Sequence, residues 1–285
     1  MAGTRSAVVA ALTAISLVLT GVAGAISNGI PDGNGHPNVG ILTIGFEEGG
    51  QVERFANCSG SYGGPRVGQP ASKVFVTAAH CVAFALEAGI AANQFWVSFD
   101  SDITYDLESG LVTSTNSWHQ ATAFAFDPAA GQQRSDAHDY AVVLLNSVPA
   151  GLTPIQLPAA GLLSSLAAKG GLQPGTVFDN VGYGVVPFFK RGRPGIEAPP
   201  GRMFSTSRYK GLTQAYLKLN MNSDSSEGNG GVCFGDSGSP KFIHGTNTVV
   251  ALQLGGDPIC RAESFGSRLD IPAARSFYSR YLALP

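Results

Sequence analysis

A serine stands between two glycines in Cys233-Phe234-Gly235-Asp236-Ser237-Gly238-Ser239-Pro240. Glycine on either side lets the backbone turn sharply and lets a carbonyl approach the amide N–H groups. An unassisted serine hydroxyl is a poor nucleophile and needs a base. A Gly/Ser/Asp surface turn would have the same composition, so the remainder of the chain has to supply partners. Of the five histidines, His80 is the best placed, at the end of the strand-like run Val76-Thr77-Ala78-Ala79-His80-Cys81 and beside a cysteine that a disulfide can pin. His36, His119 and His244 sit in polar or turn-like contexts. The third group should be a carboxylate that holds the imidazole tautomer. Asp139 opens the apolar run Asp139-Tyr140-Ala141-Val142-Val143-Leu144-Leu145, where a carboxylate is costly to bury unless paired. Asp136 is the second choice. His138 is expected to face solvent, because adjacent strand residues point to opposite faces.

The elements that must position these groups read as β-structure. Thirty-seven glycines and 17 prolines without a short repeat indicate many turns, and strand-like segments recur at 38–46, 73–77, 94–99, 141–145, 177–181, 214–219 and 248–254. Glycine- and proline-rich stretches at 61–65 and 191–195 read as connections. A C-terminal helix is signalled by Asp270 as cap, Pro272 in the first turn, and Phe277 and Tyr281 on one face. A short helix is expected over 82–88. About 260 residues after the leader are more than one small barrel needs. We expect two β-barrels, about 26–150 and about 151–285, joined through 148–171.

The leader itself is residues 1–25. Arg5, an apolar run of about a dozen residues and Ala23-Gly24-Ala25 form the three parts of a secretory signal peptide, and the run is short of the ~20 residues that span a bilayer. The expected product is a secreted protein with no membrane association after cleavage. A net charge of -2 and 13% charged residues give no electrostatic footprint for nucleic acid. Export favours disulfides among Cys58, Cys81, Cys233 and Cys260, with three pairings open, and no C-x-x-C pair points to zinc. We expect no cofactor. The run 100–108 carries Asp100, Asp102, Asp106 and Glu108; it could offer oxygen ligands to calcium but reads more simply as a solvated acidic loop.

Thr77-Ala78-Ala79-His80-Cys81, Asp139-Tyr140-Ala141-Val142-Val143-Leu144-Leu145 and Cys233-Phe234-Gly235-Asp236-Ser237-Gly238-Ser239-Pro240, in the order His, Asp, Ser, closely resemble the chymotrypsin/trypsin family of serine endopeptidases. Weaker similarities lie at Pro154-Ile155-Gln156-Leu157-Pro158, Val181-Gly182-Tyr183-Gly184 and Ser267-Arg268-Leu269-Asp270. The resemblance implies an all-β fold of two six-stranded antiparallel barrels with a C-terminal helix, the site lying between the barrels. It implies Ser237 as nucleophile, His80 as general base and acid, Asp139 as orienter, and the N–H groups of Gly235 and Ser237 as oxyanion hole. It favours the pairings Cys58–Cys81 and Cys233–Cys260. It also implies that Asp236 pairs with a freed N-terminal ammonium, for which Ile26, directly after the predicted leader, is the candidate. Protein or peptide substrates and protein protease inhibitors are the implied partners, with a monomer as the expected state.

The same resemblance places Gly231 at the base of the primary specificity pocket and Gly256 and Gly266 on its walls. No countercharge for Lys or Arg is present there, so an apolar, even large, side chain is expected, unless Arg268 near the floor favours an acidic one. Leu254-Gly255-Gly256 stands where the family usually has Ser-Trp-Gly, so one hydrogen bond to Asp139 and one aromatic are missing, and Ser239 replaces a frequent glycine. A homologue that keeps the fold as a binding module without catalysis is the alternative. An α/β-hydrolase esterase would need G-x-S-x-G and the order Ser, Asp, His, which this chain lacks.

Overall fold

Short β-branched and aromatic runs between glycine turns fold into fifteen strands among the residues described. The computed structural model describes residues 27–132, 138–190, 193–222 and 228–285; the expected leader at 1–25, Ile26 and Asp136 lie outside them. Six antiparallel strands close a barrel in the order β2 (Val39–Glu48), β3 (Gln51–Arg66), β4 (Gln69–Thr77), β7 (Ala141–Leu145), β6 (His119–Phe126) and β5 (Phe95–Ser98), with β5 pairing back onto β2.

The run Ala141 to Leu145 shows no polar alternation because both its faces are covered. Ala141, Val143 and Leu145 point into the barrel with Leu42, Phe75, Phe95 and Val97. Val142 and Leu144, with Val74 and Val76, pack outward against Val181, Phe242, Leu252 and the C-terminal residues Phe277 and Tyr278. The outward face of this barrel is therefore the interior contact between the two halves of the chain.

The second half is a sheet ordered β1 (Ile30–Pro31), β11 (Met203–Leu212), β12 (Tyr216–Asn220), β15 (Glu263–Arg268), β14 (Val249–Gly256), β13 (Pro240–Ile243) and β8 (Val177–Gly182), in which β11 also pairs with β8. A hairpin, β9 (Val186–Lys190) and β10 (Arg193–Glu197), leaves it beside the site. Helix α1 (Phe84–Ala88) follows the His80 turn, α2 (Leu162–Ala168) lies within the connection between the halves, and α3 (Pro272–Tyr278) ends the fold. No helix among the described residues is long and apolar enough to cross a membrane.

Three expectations change. Residues 61–65 are part of β3, not a connection. Packing demands glycine at two of its positions: a Cβ on Gly63 would stand 2.8 Å from Leu282, and one on the preceding Gly60 would overlap Val76 O and stand 2.5 Å from the Phe75 ring. Asp270 does not cap α3, whose N-cap is Ile271 without a side-chain bond. Its carboxylate instead receives Arg268 at 2.8 and 2.9 Å and the Leu163 N–H at 2.8 Å. Arg193 and Gly195, read as connection, are in β10.

Candidate active site

Register brings His80 and Asp139 together. Thr77, the last residue of β4, pairs with Ala141, the first of β7. In an antiparallel pair, residues just after Thr77 therefore meet residues just before Ala141. The chain turns in a tight 3-10 segment, Ala79–Cys81, that buries Ala79 and Cys81 and turns His80 outward. The Cys58–Cys81 disulfide ties this turn to β3. Asp139, 4% exposed, accepts the His80 backbone N–H at 2.9 Å and sits 2.8 Å from Nδ1. With Nδ1–H donated to a carboxylate, Nε2 is left as a proton acceptor facing outward.

His138 differs from expectation. It adopts a left-handed φ of 48° and its ring bonds Asp127 at 3.0 Å, so it is half-buried and turns the chain into β7 instead of facing solvent. His36 pairs with Asp32, His244 with Asp179 and His119 with Ser147, each away from Ser237.

Ser237 arrives from the other half of the molecule. Its carbonyl accepts the Ser59 N–H at 2.9 Å, and Gly238 N–H donates to Gln253 O at 2.8 Å. Gly238 has φ +76°, and a Cβ there would overlap Thr77 Oγ1 and stand 2.7 Å from Ala78 N. The Ser237 turn is thus pressed against the end of β4 that leads to His80. Among the described residues no hydrogen bond joins Ser237 Oγ to His80; such bonds are often long before substrate binds.

The peptide ahead of Ser237 is fixed from behind. Val185 N–H donates to Phe234 O at 2.7 Å, and in a trans peptide the Gly235 N–H then points the opposite way. The Gly235 carbonyl accepts Ser59 Oγ at 3.0 Å, and Ser59 Oγ accepts the Tyr183 N–H at 3.1 Å. Gly235 itself has φ +93°. Among the described residues, neither the Gly235 nor the Ser237 N–H donates to a protein acceptor. Two donors at neighbouring positions are what a developing oxyanion requires.

Asp236 points the other way, into the interior, fully buried. Its oxygens accept the N–H groups of Gly184 at 2.8 Å and Cys233 at 2.9 Å. Burial pushes its carboxyl up to about 6, against the pull of these two N–H donors and of Lys241. Ser27, directly after Ile26, is 4% exposed and its carbonyl accepts the Gly231 N–H at 2.9 Å. Lys241 is also fully buried, donates to Asn180 Oδ1 and Ser264 Oγ at 3.1 Å each, and is pushed down to about 7 by burial.

Beside Ser237 lies a cavity of about 210 Å³ lined by residues that include Val232, Phe234, Gln253, Gly256 and Asp257. Gly256 is on its wall. Gly266 is a buried residue of β15 whose Cβ, if present, would stand 2.7 Å from Leu252 O, and Arg268 is bound to Asp270, Ser164 and the Thr213 carbonyl, lining a different cavity. The structure does not bring Arg268 to the cavity beside Ser237. On the far side of Gly235 a second depression of about 190 Å³ is lined by Asn57, Tyr105, Leu107 and Val185.

Neither a protein-family model nor a curated protein matches the chain.

Both disulfides join the expected partners, Cys58–Cys81 and Cys233–Cys260. His80 lies with Cys58 and Cys81 in a group of metal-ligand types, but the two sulfurs are bonded to each other and offer no thiolates. In the acidic run, Asp100 accepts the Ser117 N–H and Asp102 accepts Asn116, which tie the run to the segment ahead of β6, and Asp106 accepts Ser109 twice within its own turn. Residue types did not single out Ser59, Tyr183, Gly184 or Met221. The string Val181-Gly182-Tyr183-Gly184 was the available signal for two of them; Ser59 had only its place after Cys58.

Proposed function

We propose that the protein is a secreted serine endopeptidase of the chymotrypsin/trypsin type, working through Ser237, His80 and Asp139. The observation that carries this reading is the Asp139 carboxylate, which grips both the backbone and the Nδ1 of His80 at the barrel end against which the Ser237 turn is pressed. In the reaction, Ser237 Oγ attacks the scissile carbonyl while His80 Nε2 takes its proton, and Asp139 stabilises the imidazolium. The carbonyl oxygen, now anionic, accepts the Gly235 and Ser237 N–H groups. Collapse breaks the C–N bond, His80 protonates the departing amine, and water then cleaves the acyl-enzyme by the same proton path in reverse.

The finer architecture belongs to the same reading. The pairing of β11 with β8 links the two ends of a six-strand course β8-β13-β14-β15-β12-β11, which we take as the second barrel. The burial of Ser27 against Gly231 supports an arrangement in which the ammonium of Ile26, once the leader is removed, reaches Asp236. N-terminal sequencing of active protein should then give Ile26. Protein and peptide chains are the substrates in this reading, and no metal or cofactor takes part in it.

Labelling the purified secreted protein with a fluorophosphonate tests the proposal. Stoichiometric modification of Ser237, lost in His80→Ala, is expected. A folded, correctly processed protein that takes no label would leave the alternative of a non-catalytic binding module.

A further inference from the structure

The cavity beside Ser237 is closed off before it reaches Gly231. Met221, fully buried, occupies the place a side chain on Gly231 would take: a Cβ built there overlaps Met221 Sδ and stands 2.6 Å from Met221 Cβ. The Met221 methyl carbon comes within 3.5 Å of a Cβ built on Gly256, which lines the cavity. The Val232 N–H donates to Met221 Sδ at 3.2 Å. Val232 lines the cavity; Gly231 and Met221 do not. The thioether therefore fills the volume between the two glycines, and Val232 and Gly256 become the end of the pocket.

Charge adds a second restriction. Among the described residues, no cationic side chain lines this cavity. Its one carboxylate, Asp257, accepts the N–H groups of Arg261, Ala262 and Glu263 at 2.7–3.1 Å, and these hold it below the usual carboxylate range. These bonds, three of them on Oδ1, tie the carboxylate to its own loop, so pairing with a substrate lysine or arginine would cost it part of that support. Gln253, which also lines the cavity, is neutral and donates to Gly255 O at 2.9 Å.

We propose that Met221 is a specificity-determining residue, setting a shallow primary pocket that selects a short, uncharged side chain before the scissile bond, of the size of alanine, serine, threonine or valine. This rests on the peptidase reading above. It narrows the expectation of an apolar, even large, side chain, which rested on Gly256 and Gly266 as the walls of the pocket. The floor comes from a residue ten positions upstream of Gly231 in sequence, on the loop after β12, and glycine at 231 is required by Met221 instead of marking an empty pocket.

The test is a peptide library varied at the residue before the cut, run on fluorophosphonate-titrated wild type, Met221→Ala and Met221→Leu. Wild type should favour alanine, serine, threonine or valine over phenylalanine, lysine and glutamate by at least about tenfold in kcat/KM, within the roughly 10–200-fold that one methylene commands in such a pocket. Met221→Ala should raise the phenylalanine-to-alanine ratio by about tenfold or more, and Met221→Leu, which keeps the volume, should leave it within about threefold of wild type. A wild-type preference for large or charged side chains, or an unchanged ratio in a labelled Met221→Ala enzyme, overturns the inference while leaving the peptidase intact. Absence of label on wild type removes the peptidase reading and this inference with it. Should Met221→Ala fail to fold, the wild-type profile alone decides.

Discussion

Replacing Ser59 by alanine probes how the oxyanion donors are held. Ser59 is fully buried, donates to the Gly235 carbonyl at 3.0 Å and accepts the Tyr183 N–H at 3.1 Å. Alanine removes both bonds and leaves a buried N–H with no acceptor. A lost neutral hydrogen bond is worth about 1 kcal/mol and an unsatisfied buried donor about 1–3 kcal/mol, so unfolding should become easier by about 2–4 kcal/mol. Catalysis should suffer separately. With its carbonyl released, Gly235 can rotate its neighbouring peptides, and deleting an oxyanion donor outright costs about 10²–10³ in kcat. A donor misdirected but present should cost about 10–100-fold, in kcat with KM nearly constant, because the interaction forms mainly in the transition state. Urea unfolding gives the first quantity and steady-state kinetics on a fluorophosphonate-titrated preparation the second. A destabilised enzyme with wild-type kcat would refute the claim that Ser59 positions the hole and leave it a purely structural residue.

Gly184→Ala should be more severe, because a Cβ there stands 2.5 Å from Asp236 Cγ against buried backbone; we expect loss of fluorophosphonate labelling and a drop in Tm by circular dichroism. Asp139→Asn should keep the fold but present the wrong His80 tautomer; in the serine-protease template that change costs ~10⁴ in kcat, and a loss under about tenfold would remove Asp139 from the mechanism. Converting Cys58 and Cys81 to alanine should cost about 2–4 kcal/mol in urea unfolding and free the His80 turn, lowering the labelling rate as well. In a Ser237→Ala chain that keeps residues ahead of Ile26, Asp236 has no ammonium to pair with. Its folded pKa, raised from 3.8 to about 6 by burial, means the native state binds the proton more tightly. Stability should then be full below about pH 4 and fall as pH rises through 6, by on the order of 2–3 kcal/mol. Asp236→Asn should flatten that slope, and an equal slope in both proteins would show that Asp236 is not its source.

The seven strand-like runs expected along the chain all fall on strands, since each buries branched or aromatic side chains on at least one face. The strands that escaped notice carry glycine or polar residues for reasons a linear reading does not contain. β3 needs glycine to pass Phe75, and β13 opens with Pro240 and Lys241 because Lys241 has buried partners on β8 and β15. The pairing of His80 with Asp139 was legible because both residues abut apolar strands; once those strands pair in register, the two must meet. The pocket was less legible. Gly231 and Gly266 are small because neighbouring side chains, Met221 and Lys241, crowd them, and a glycine needed for packing reads the same in sequence as a glycine that leaves room for a ligand. Arg268, placed near the floor by position, is drawn away by Asp270 and Ser164.

The two halves of the molecule contribute unequally to the candidate site, and the contact between them decides whether it is complete. The closed barrel supplies His80 and Asp139 just beyond the ends of two strands joined by register, with a disulfide beside His80. The other sheet supplies Ser237 and the Gly235 N–H on an irregular turn with two left-handed glycines, Gly235 and Gly238. Such a turn holds one conformation only when its surroundings over-determine it. Here they do so from two sides. Asp236 is drawn inward by Gly184 and Cys233, while Ser59, from the barrel, binds the carbonyls on either side of Asp236, those of Gly235 and Ser237. Ser59 follows Cys58, the half-cystine bonded to Cys81 beside His80. One disulfide therefore links the segment that binds the Gly235 and Ser237 carbonyls to the turn that carries His80, so strain relieved at either should be felt at the other. Ser59→Ala combined with loss of Cys58–Cys81 should accordingly depart from additivity by about 0.5 kcal/mol or more in a double-mutant cycle, and strict additivity would show that the two act as separate supports.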